Sequence, residues 1–239
     1  MNKSKNIYEP DYVKNLFNSM SGSYEKTNFI TSFGFSIRWR KQFINKVDSS
    51  NQKLEIIDLL SGLGENWNYL KNKFPNSNLT ALDFSNEMIT SSKVKAQNLF
   101  KNNHLLLEED VLNNNLPDNY FDILTSAYGL KTFNEEQLDL LAKQIQRILK
   151  PNGMFSFIEI SKPKNKLLLT FYKFYLSKVI PILGKLFLGN PNDYKMLWIY
   201  TESFQDCRKV KDIFEKNGLQ VNYEKYFFGC ATGLNGIKL

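Results

Sequence analysis

The chain is predicted to fold as an α/β protein with a doubly wound, mostly parallel sheet of seven strands, helices ahead of it and a helical insertion near its end. Three observations carry this. Apolar, β-branched runs alternate with amphipathic segments between residues 54 and 160, the pattern of strands joined by helical crossovers. The first run, Leu54-Glu55-Ile56-Ile57-Asp58-Leu59-Leu60, closes in Ser61-Gly62-Leu63-Gly64, which reads as a buried strand, a tight turn and a helix start. A lone acid, Asp83, follows nineteen positions after Gly64, where the second strand of such a unit ends.

The elements follow in order. Tyr12, Val13, Leu16, Phe17 and Met20 recur at helical spacing over 11–20, Ser21-Gly22-Ser23 predicts a break, and 36–47 predicts a second helix. Strands are expected at 54–60, 78–83, 104–109, 120–127 and 153–160, and helices at 65–74, 86–100 and 135–149. The last of these is marked at both ends. Asn134 stands at the cap with Gln137 at the capping-box position, Leu138, Leu141, Ile145 and Ile148 form one stripe, and Lys150-Pro151-Asn152-Gly153 predicts its stop. A greasy helical stretch near 165–188 interrupts the alternation. A helix at 203–217, ended by Asn217-Gly218, and two closing strands at 219–228 and 230–238 complete the expected fold.

Composition bounds the class. At 239 residues the chain fits one domain with room for a cap, and 42% hydrophobic with 23% charged residues suits a globular protein. The 19 Phe and 12 Tyr exceed what a core of this size needs, so a surplus is available for an apolar pocket. The net charge of +7 fits either a lysine-rich surface or attraction to an anionic membrane. No dense Lys/Arg block or nucleic-acid motif is present, so no nucleic-acid partner is expected. Cys207 and Cys230 lack metal-site spacing; no metal is expected, and a reduced, cytoplasmic setting is the default. Residues 1–10 are polar, without a signal-peptide core. The greasiest stretch, 167–188, is interrupted by Lys173, Lys178, Pro181 and Lys185, so no spanning helix is expected, and any membrane contact would be peripheral.

The glycine loop narrows the ligand. A dinucleotide fingerprint places a third glycine three positions after the second, and that position is Trp67 here. A bulky indole argues against a pyrophosphate at this helix. S-adenosylmethionine carries no phosphate and needs only room beside the loop and an acid for its ribose. A plain strand–helix turn would explain the glycines alone, but Asp58 before them and Asp83 after them favour a nucleoside-type ligand. The predicted topology gathers Gly62, Gly64, Asp83, Asp110 and the 126–131 segment at the carboxyl edge of the sheet, where such folds bind.

Further motifs carry a family resemblance. Val13 to Trp39 contains Ser21-Gly22-Ser23-Tyr24-Glu25-Lys26 and Ser36-Ile37-Arg38-Trp39; Leu82-Asp83-Phe84-Ser85 is followed by Met88; and Leu116-Pro117-Asp118 leads into Tyr128-Gly129-Leu130-Lys131. Ile148-Leu149-Lys150-Pro151-Asn152-Gly153, Ile158-Glu159-Ile160-Ser161-Lys162-Pro163 and the segments at 172–175 and 180–184 complete the set. Together they resemble the class I S-adenosylmethionine-dependent methyltransferases of ubiquinone and menaquinone biosynthesis, over nearly the whole chain. The resemblance implies a Rossmann-like fold in a single domain over 1–239, with 1–50 as a helical segment on the substrate side and 164–200 as a helical cap. It implies S-adenosylmethionine as cofactor, a prenylated quinol such as demethylmenaquinol as substrate, and methylation of a ring carbon. A homodimer and a peripheral membrane contact are compatible with it. The chain departs from the family pattern at Ser61 and Leu63 in the loop, at Lys131 and Thr132 where Arg-Asn is usual, and at Asn113-Asn114-Asn115. Another small aromatic acceptor, methylated on C, O or N, and an inactive cofactor-binding scaffold therefore stay open as alternatives.

By this resemblance Asp58, Ser61, Gly62, Leu63, Gly64, Asp83, Phe84, Asp110, Val111 and Ala127 would bind cofactor. Asp83 would take the ribose diol, against the alternative of a helix N-terminal acid. Asp110 and Val111 would meet adenine, and Asp58 would hold the loop and the cofactor's amino end, with a purely structural acid a near-equal reading. Lys131 is the candidate catalytic cation, stabilising a phenolate-like ring, against a solvated lysine ahead of a helix. Tyr24 and Tyr128 would contact the acceptor hydroxyl unless they are packed aromatics. His104, the sole histidine, starts a strand away from this edge, so a proton acceptor would be water, a carboxylate or Lys131.

Overall fold

The computed structural model describes residues 6–186 and 191–239, with the side chains of residues 23, 24, 26–28, 30, 31, 186, 191 and 192 outside the description. Seven strands form one sheet: β1 (Glu55–Leu59), β2 (Asn78–Asp83), β3 (His104–Glu108), β4 (Phe121–Ala127), β5 (Leu149–Ile160), β6 (Leu219–Tyr226) and β7 (Ala231–Lys238). Their order is β3-β2-β1-β4-β5-β7-β6, with only β7 antiparallel to its neighbours. This matches the predicted doubly wound class. The order reverses between β1 and β4, which pair through Ile57↔Leu124 and Asp58↔Thr125. The carboxyl ends of β1, β2 and β4 therefore open on one crevice.

Helices α1 (Pro10–Thr31) and α2 (Phe35–Ile44) precede the sheet; α3 (Trp67–Lys73), α4 (Asn86–Phe100) and α5 (Glu135–Ile148) are its crossovers. Two cores result. On one face Leu141, Ile145 and Ile148 of α5 meet Phe155, Phe157 and, from α9 (Arg208–Lys216), Phe214. On the other, Phe43 of α2, Trp67 and Leu70 of α3 and Phe100 of α4 cover Ile56, Ala81 and Ile123. The capping box at Asn134 and Gln137 forms with 2.9 Å bonds in both directions.

Four expectations need correction. The break at Ser21-Gly22-Ser23 does not occur, because α1 runs through it. Ser19 and Ser21 donate their hydroxyls to the Leu16 and Asn18 carbonyls (2.8 and 3.0 Å), so their side chains are satisfied within the helix. The strand expected at 153–160 starts at Leu149: α5 does end at Ile148, ahead of Lys150-Pro151-Asn152-Gly153, but that segment lies inside β5, as a bulge where the register on β4 shifts between Phe121 and Ile123. The helix expected at 203–217 is two, since α8 (Pro191–Phe204) ends and Gln205 turns at φ 64 before α9 begins. The expectation that no segment could span a membrane also fails on length and composition. α6 (Lys166–Phe174), a π turn (Tyr175–Val179) and α7 (Ile180–Leu186) run on as one helix, and Lys166–Lys185 is long and apolar enough by that measure. Pro181 does not break it, because the widened turn just before it re-registers the backbone around the missing N–H.

Candidate active site

The crevice is built from the glycine loop outward. Asp58, at the end of β1, is fully buried (0%). Its Oδ1 accepts from Asn66 Nδ2 (3.0 Å) and Thr125 Oγ1 (2.8 Å), and its Oδ2 accepts from Trp67 Nε1 (3.0 Å). Burial pushes its carboxyl up to about 6 against these bonds. Gly64 follows at φ 69, and a Cβ there would lie 2.3 Å from the Trp67 ring. The second glycine is thus required by the indole, the very residue that stands where a dinucleotide fold has its third glycine. Gly62 (φ 53) does face the crevice and donates its N–H to Asp83 Oδ2 at 2.8 Å.

Asp83 ends β2. Its Oδ1 accepts from Ser85 N (2.9 Å), and burial raises its carboxyl to about 6. Ser85 itself caps α4 by accepting from Met88 N (3.2 Å), so the helix does not use Asp83 as its cap. Ser61, Gly62, Asp83, Phe84, Asp110, Val111 and Ala127 all line one cavity at the strand ends. Asp110 closes its own turn by accepting from Leu112 N at 2.9 Å. The Ser61 hydroxyl is buried on this wall with no hydrogen-bond partner among the described residues, as expected of a donor whose acceptor belongs to a ligand.

A second cavity of about 330 Å3 lies beside the first, between α1, α2 and the α6–α8 helices. Its wall is apolar and aromatic, with Phe35, Trp39, Tyr172 and Tyr175 among its lining, a composition suited to a flat or greasy ligand. The two cavities share Phe17, Arg40, Tyr128 and Thr132, so they meet there. Lys131 stands on the wall of the second at 6% exposure. Its Nζ donates to Glu159 Oε1 (2.9 Å) and to the Tyr128 carbonyl, while its backbone N–H donates to Glu159 Oε2 (3.1 Å).

The family model described as the ubiE/COQ5 methyltransferase family matches residues 2–238. The chain belongs to this family. The demethylmenaquinone methyltransferase of Lactococcus lactis subsp. lactis is 31% identical over 234 residues, covering 97% of this chain and 91% of that protein. The ubiquinone/menaquinone biosynthesis C-methyltransferase UbiE of Rickettsia bellii is 32% identical, covering 95% and 92%. Among solved structures, an S-adenosylmethionine-dependent methyltransferase from Aquifex aeolicus superposes with a TM-score of 0.57 at 18% identity, covering 84% of this chain and 89% of that one; this likeness speaks for the fold. The chain is an S-adenosylmethionine-dependent methyltransferase. The first cavity fits that cofactor: an unpartnered Ser61 hydroxyl and a buried carboxylate at Asp83 flank the one loop glycine that faces it.

The methyltransferase places its sequence-predicted residues unequally. Asp58, Leu63 and Gly64 are off the cavity wall. The Asp58 carboxylate accepts from three donors of the protein, which ties the loop and α3 to β4. Leu63 is buried, and its carbonyl accepts from Lys95 Nζ (2.9 Å). Lys131 is not the solvated lysine of the alternative reading. Tyr128 lines both cavities at φ 67, and the Tyr24 side chain lies outside the described residues. His104 is on the outer strand β3, remote from the crevice.

Sequence reasoning missed Arg40 and Glu159. Arg40 is buried, donates to Glu65 Oε2 (2.8 Å) and Asn66 Oδ1 (2.7 Å), and lies 4.8 Å over the Tyr128 ring. It links the helices that wall the second cavity to the loop that walls the first. The available signal was a basic residue adjoining the apolar Trp39 in a helix pattern. Glu159 gave a clearer one, an acid inside a strand, residues 154–160, that is apolar but for Ser156, since a carboxylate buried there needs a cation.

Proposed function

We propose that this methyltransferase methylates a ring carbon of a prenylated quinol such as demethylmenaquinol. The observation that carries the reading is the junction at Phe17, Arg40, Tyr128 and Thr132, where a cavity flanked by the Ser61 hydroxyl and the Asp83 carboxylate meets an aromatic one with a buried lysine on its wall. The names of the relatives support the same acceptor.

Bound S-adenosylmethionine supplies an electrophilic methyl group on a sulfonium. The chain's own residues do the rest. Asp83 and Ser61 fix the nucleoside, with Gly62 N–H holding the Asp83 carboxylate in place. The aromatic walls orient the acceptor ring and exclude water, and alignment of this kind supplies a large share of rate in a displacement. Ring carbon becomes nucleophilic as the neighbouring hydroxyl ionises. Lys131 has three N–H donors, two of which serve Glu159 and the Tyr128 carbonyl; the third is available to the forming phenolate. Glu159 is a positioning residue that holds the ammonium at the wall. The hydroxyl proton leaves to water; once the methyl has moved from sulfur to carbon, the ring carbon loses its own hydrogen as a proton to water and the oxygen is reprotonated, which restores the aromatic quinol. The setting proposed is cytoplasmic.

The test is incubation with methyl-labelled S-adenosylmethionine and demethylmenaquinol in detergent micelles. Label is expected on the quinol ring. Transfer to a soluble phenol with none to the quinol would overturn the reading.

A further inference from the structure

We infer that the rim of the aromatic cavity is a docking surface for an anionic lipid bilayer, which the protein touches with an aromatic wedge and a lysine-edged helix. The inference deepens the proposed function, since a prenylated acceptor resides in a bilayer, but it stands on its own surface features.

Nine of the fifteen large apolar side chains that stand exposed among the described residues lie within 29–37, 167–182 and 227–228. These segments meet in space, with Phe33 against Tyr175 (ring centroids 5.6 Å apart), Phe35 against Phe227 (4.5 Å) and Phe227 against Phe228 (5.6 Å). Phe33, Phe171 and Phe227 line the cavity as well as standing exposed, so the cavity opens in the middle of the apolar patch. Phe33 is 77% exposed at φ 48 and Phe228 is 72% exposed at φ 55. A bulky side chain in the left-handed region is strained. Here the strain holds two phenyl rings largely in solvent, each with one side against a neighbouring ring of the patch, Phe33 on Tyr175 and Phe228 on Phe227. A contiguous apolar patch of this kind marks an interaction surface.

Charge selects the occupant. From Lys162 to Lys185 the chain carries six lysines and no acidic residue. On α6, Leu167, Phe171 and Phe174 share one outward face at spacings of four and three, while Leu176 and Ile180 of the same continuous helix pack on Tyr194 and Trp198. An apolar face edged by exposed lysines is the form of a helix that lies in a bilayer interface. It lies on the bilayer rather than crossing it, because its other face is held by α8 and because Lys173 and Lys178 interrupt its middle.

The experiment is co-sedimentation of the full chain, loaded with S-adenosylhomocysteine, with phosphatidylcholine vesicles that contain or lack phosphatidylglycerol. Wild type is expected to bind the anionic vesicles more tightly and to lose that preference in high salt. A Leu167→Ser/Phe174→Ser/Phe228→Ser variant alters exposed positions off both cavities. It should keep its melting temperature and its S-adenosylhomocysteine affinity while its vesicle binding falls about tenfold or more. The inference is overturned by wild type that binds S-adenosylhomocysteine but not vesicles, or by a variant that binds vesicles like wild type. It is equally overturned by a wild-type dimer that the variant turns into a monomer, which would give the face to a second copy. Quinol methylation in detergent without vesicle binding would sink this inference alone; vesicle binding without quinol methylation would sink the proposed acceptor alone.

Discussion

The two cavities that meet at Arg40 and Tyr128 are built by opposite means. The cofactor side hangs on strand ends: Asp58 and Asp83 terminate neighbouring parallel strands, and every carboxylate oxygen there is tied to a backbone or side-chain donor. The acceptor side is a gap between helices, with one buried ion pair set in an aromatic wall. A hydrogen-bonded loop between strands fixes ligand atoms one by one, whereas a helical vault fixes only shape and polarity. Such a division lets one donor site serve acceptors that differ in their tails.

Removing Lys131 should produce the largest effect on either side. Lys131→Met leaves the Glu159 carboxyl without its partner in a site with 0% exposure, and breaking a buried pair from one end costs about 3–5 kcal/mol. The expected outcome is a large fall in melting temperature together with a loss of kcat of about 10²–10³-fold from the missing cation. Pairing it with Glu159→Gln separates the two terms: denaturant titration should show stability partly restored while kcat stays low. Full activity in the double variant would mean the ammonium does no chemistry.

The two buried acids sharpen the contrast within the cofactor side. Asp58→Asn replaces one of two accepting oxygens by an NH2 that faces a donor, Trp67 Nε1 in one orientation or Asn66 Nδ2 and Thr125 Oγ1 in the other, and should destabilise the fold by about 1–3 kcal/mol. Asp83→Asn should instead weaken S-adenosylhomocysteine by about 10–100-fold in a calorimetric titration, since a charged acceptor on the ribose is lost. If Asp58→Asn were the binding variant and Asp83→Asn the unfolding one, the roles assigned here would be reversed.

Acid titration separates the same pair without mutation. Both carboxyls rise from 3.8 to about 6 through burial. Between those values the native state holds protons that the unfolded chain has released, so stability without ligand falls as pH rises from about 4 to about 6, by up to about 3 kcal/mol per carboxyl. Ligand affinity runs the other way. It should weaken by about tenfold per pH unit below about 6 as Asp83 protonates, and Asp83→Asn should flatten that profile while Asp58 continues to titrate.

How much was legible follows from the same division. The strand ends could be read because a parallel sheet forces period, glycine and acid into fixed relation: Gly62, Asp83, Asp110 and Ala127 all reach one wall. Asp58, Gly64 and Leu63 stand off that wall, because sequence spacing places residues on a loop without saying which side of it they face. The indole of Trp67 decided that for Gly64 and Asp58. The helical vault was legible in outline, as a surplus of aromatics and a helical cap over 164–200, but not in its detail. Phe35, Tyr175 and Phe227 are far apart in sequence and meet only through tertiary packing, and the Ser21-Gly22-Ser23 stretch looked like a break because local propensity is weaker than the packing that keeps α1 whole.

The smallest expected effect tests whether the vault recognises shape alone. Phe35 lines only the aromatic cavity and stacks against Trp39 (5.3 Å) and Phe227 (4.5 Å). Its truncation to Ala removes an aromatic contact worth about 0.5–1.5 kcal/mol, so KM for a long-tailed quinol should rise by about two- to tenfold in steady-state assays in detergent. Affinity for S-adenosylhomocysteine should not move, because no atom of Phe35 borders that cavity. kcat should change little as well, since a uniform loss of binding raises KM and leaves the bound complex's barrier alone. A fall in kcat of the size expected for Lys131→Met would show instead that the aromatic wall aligns the ring for attack, and the boundary drawn between a chemical junction and a passive vault would move outward to include it.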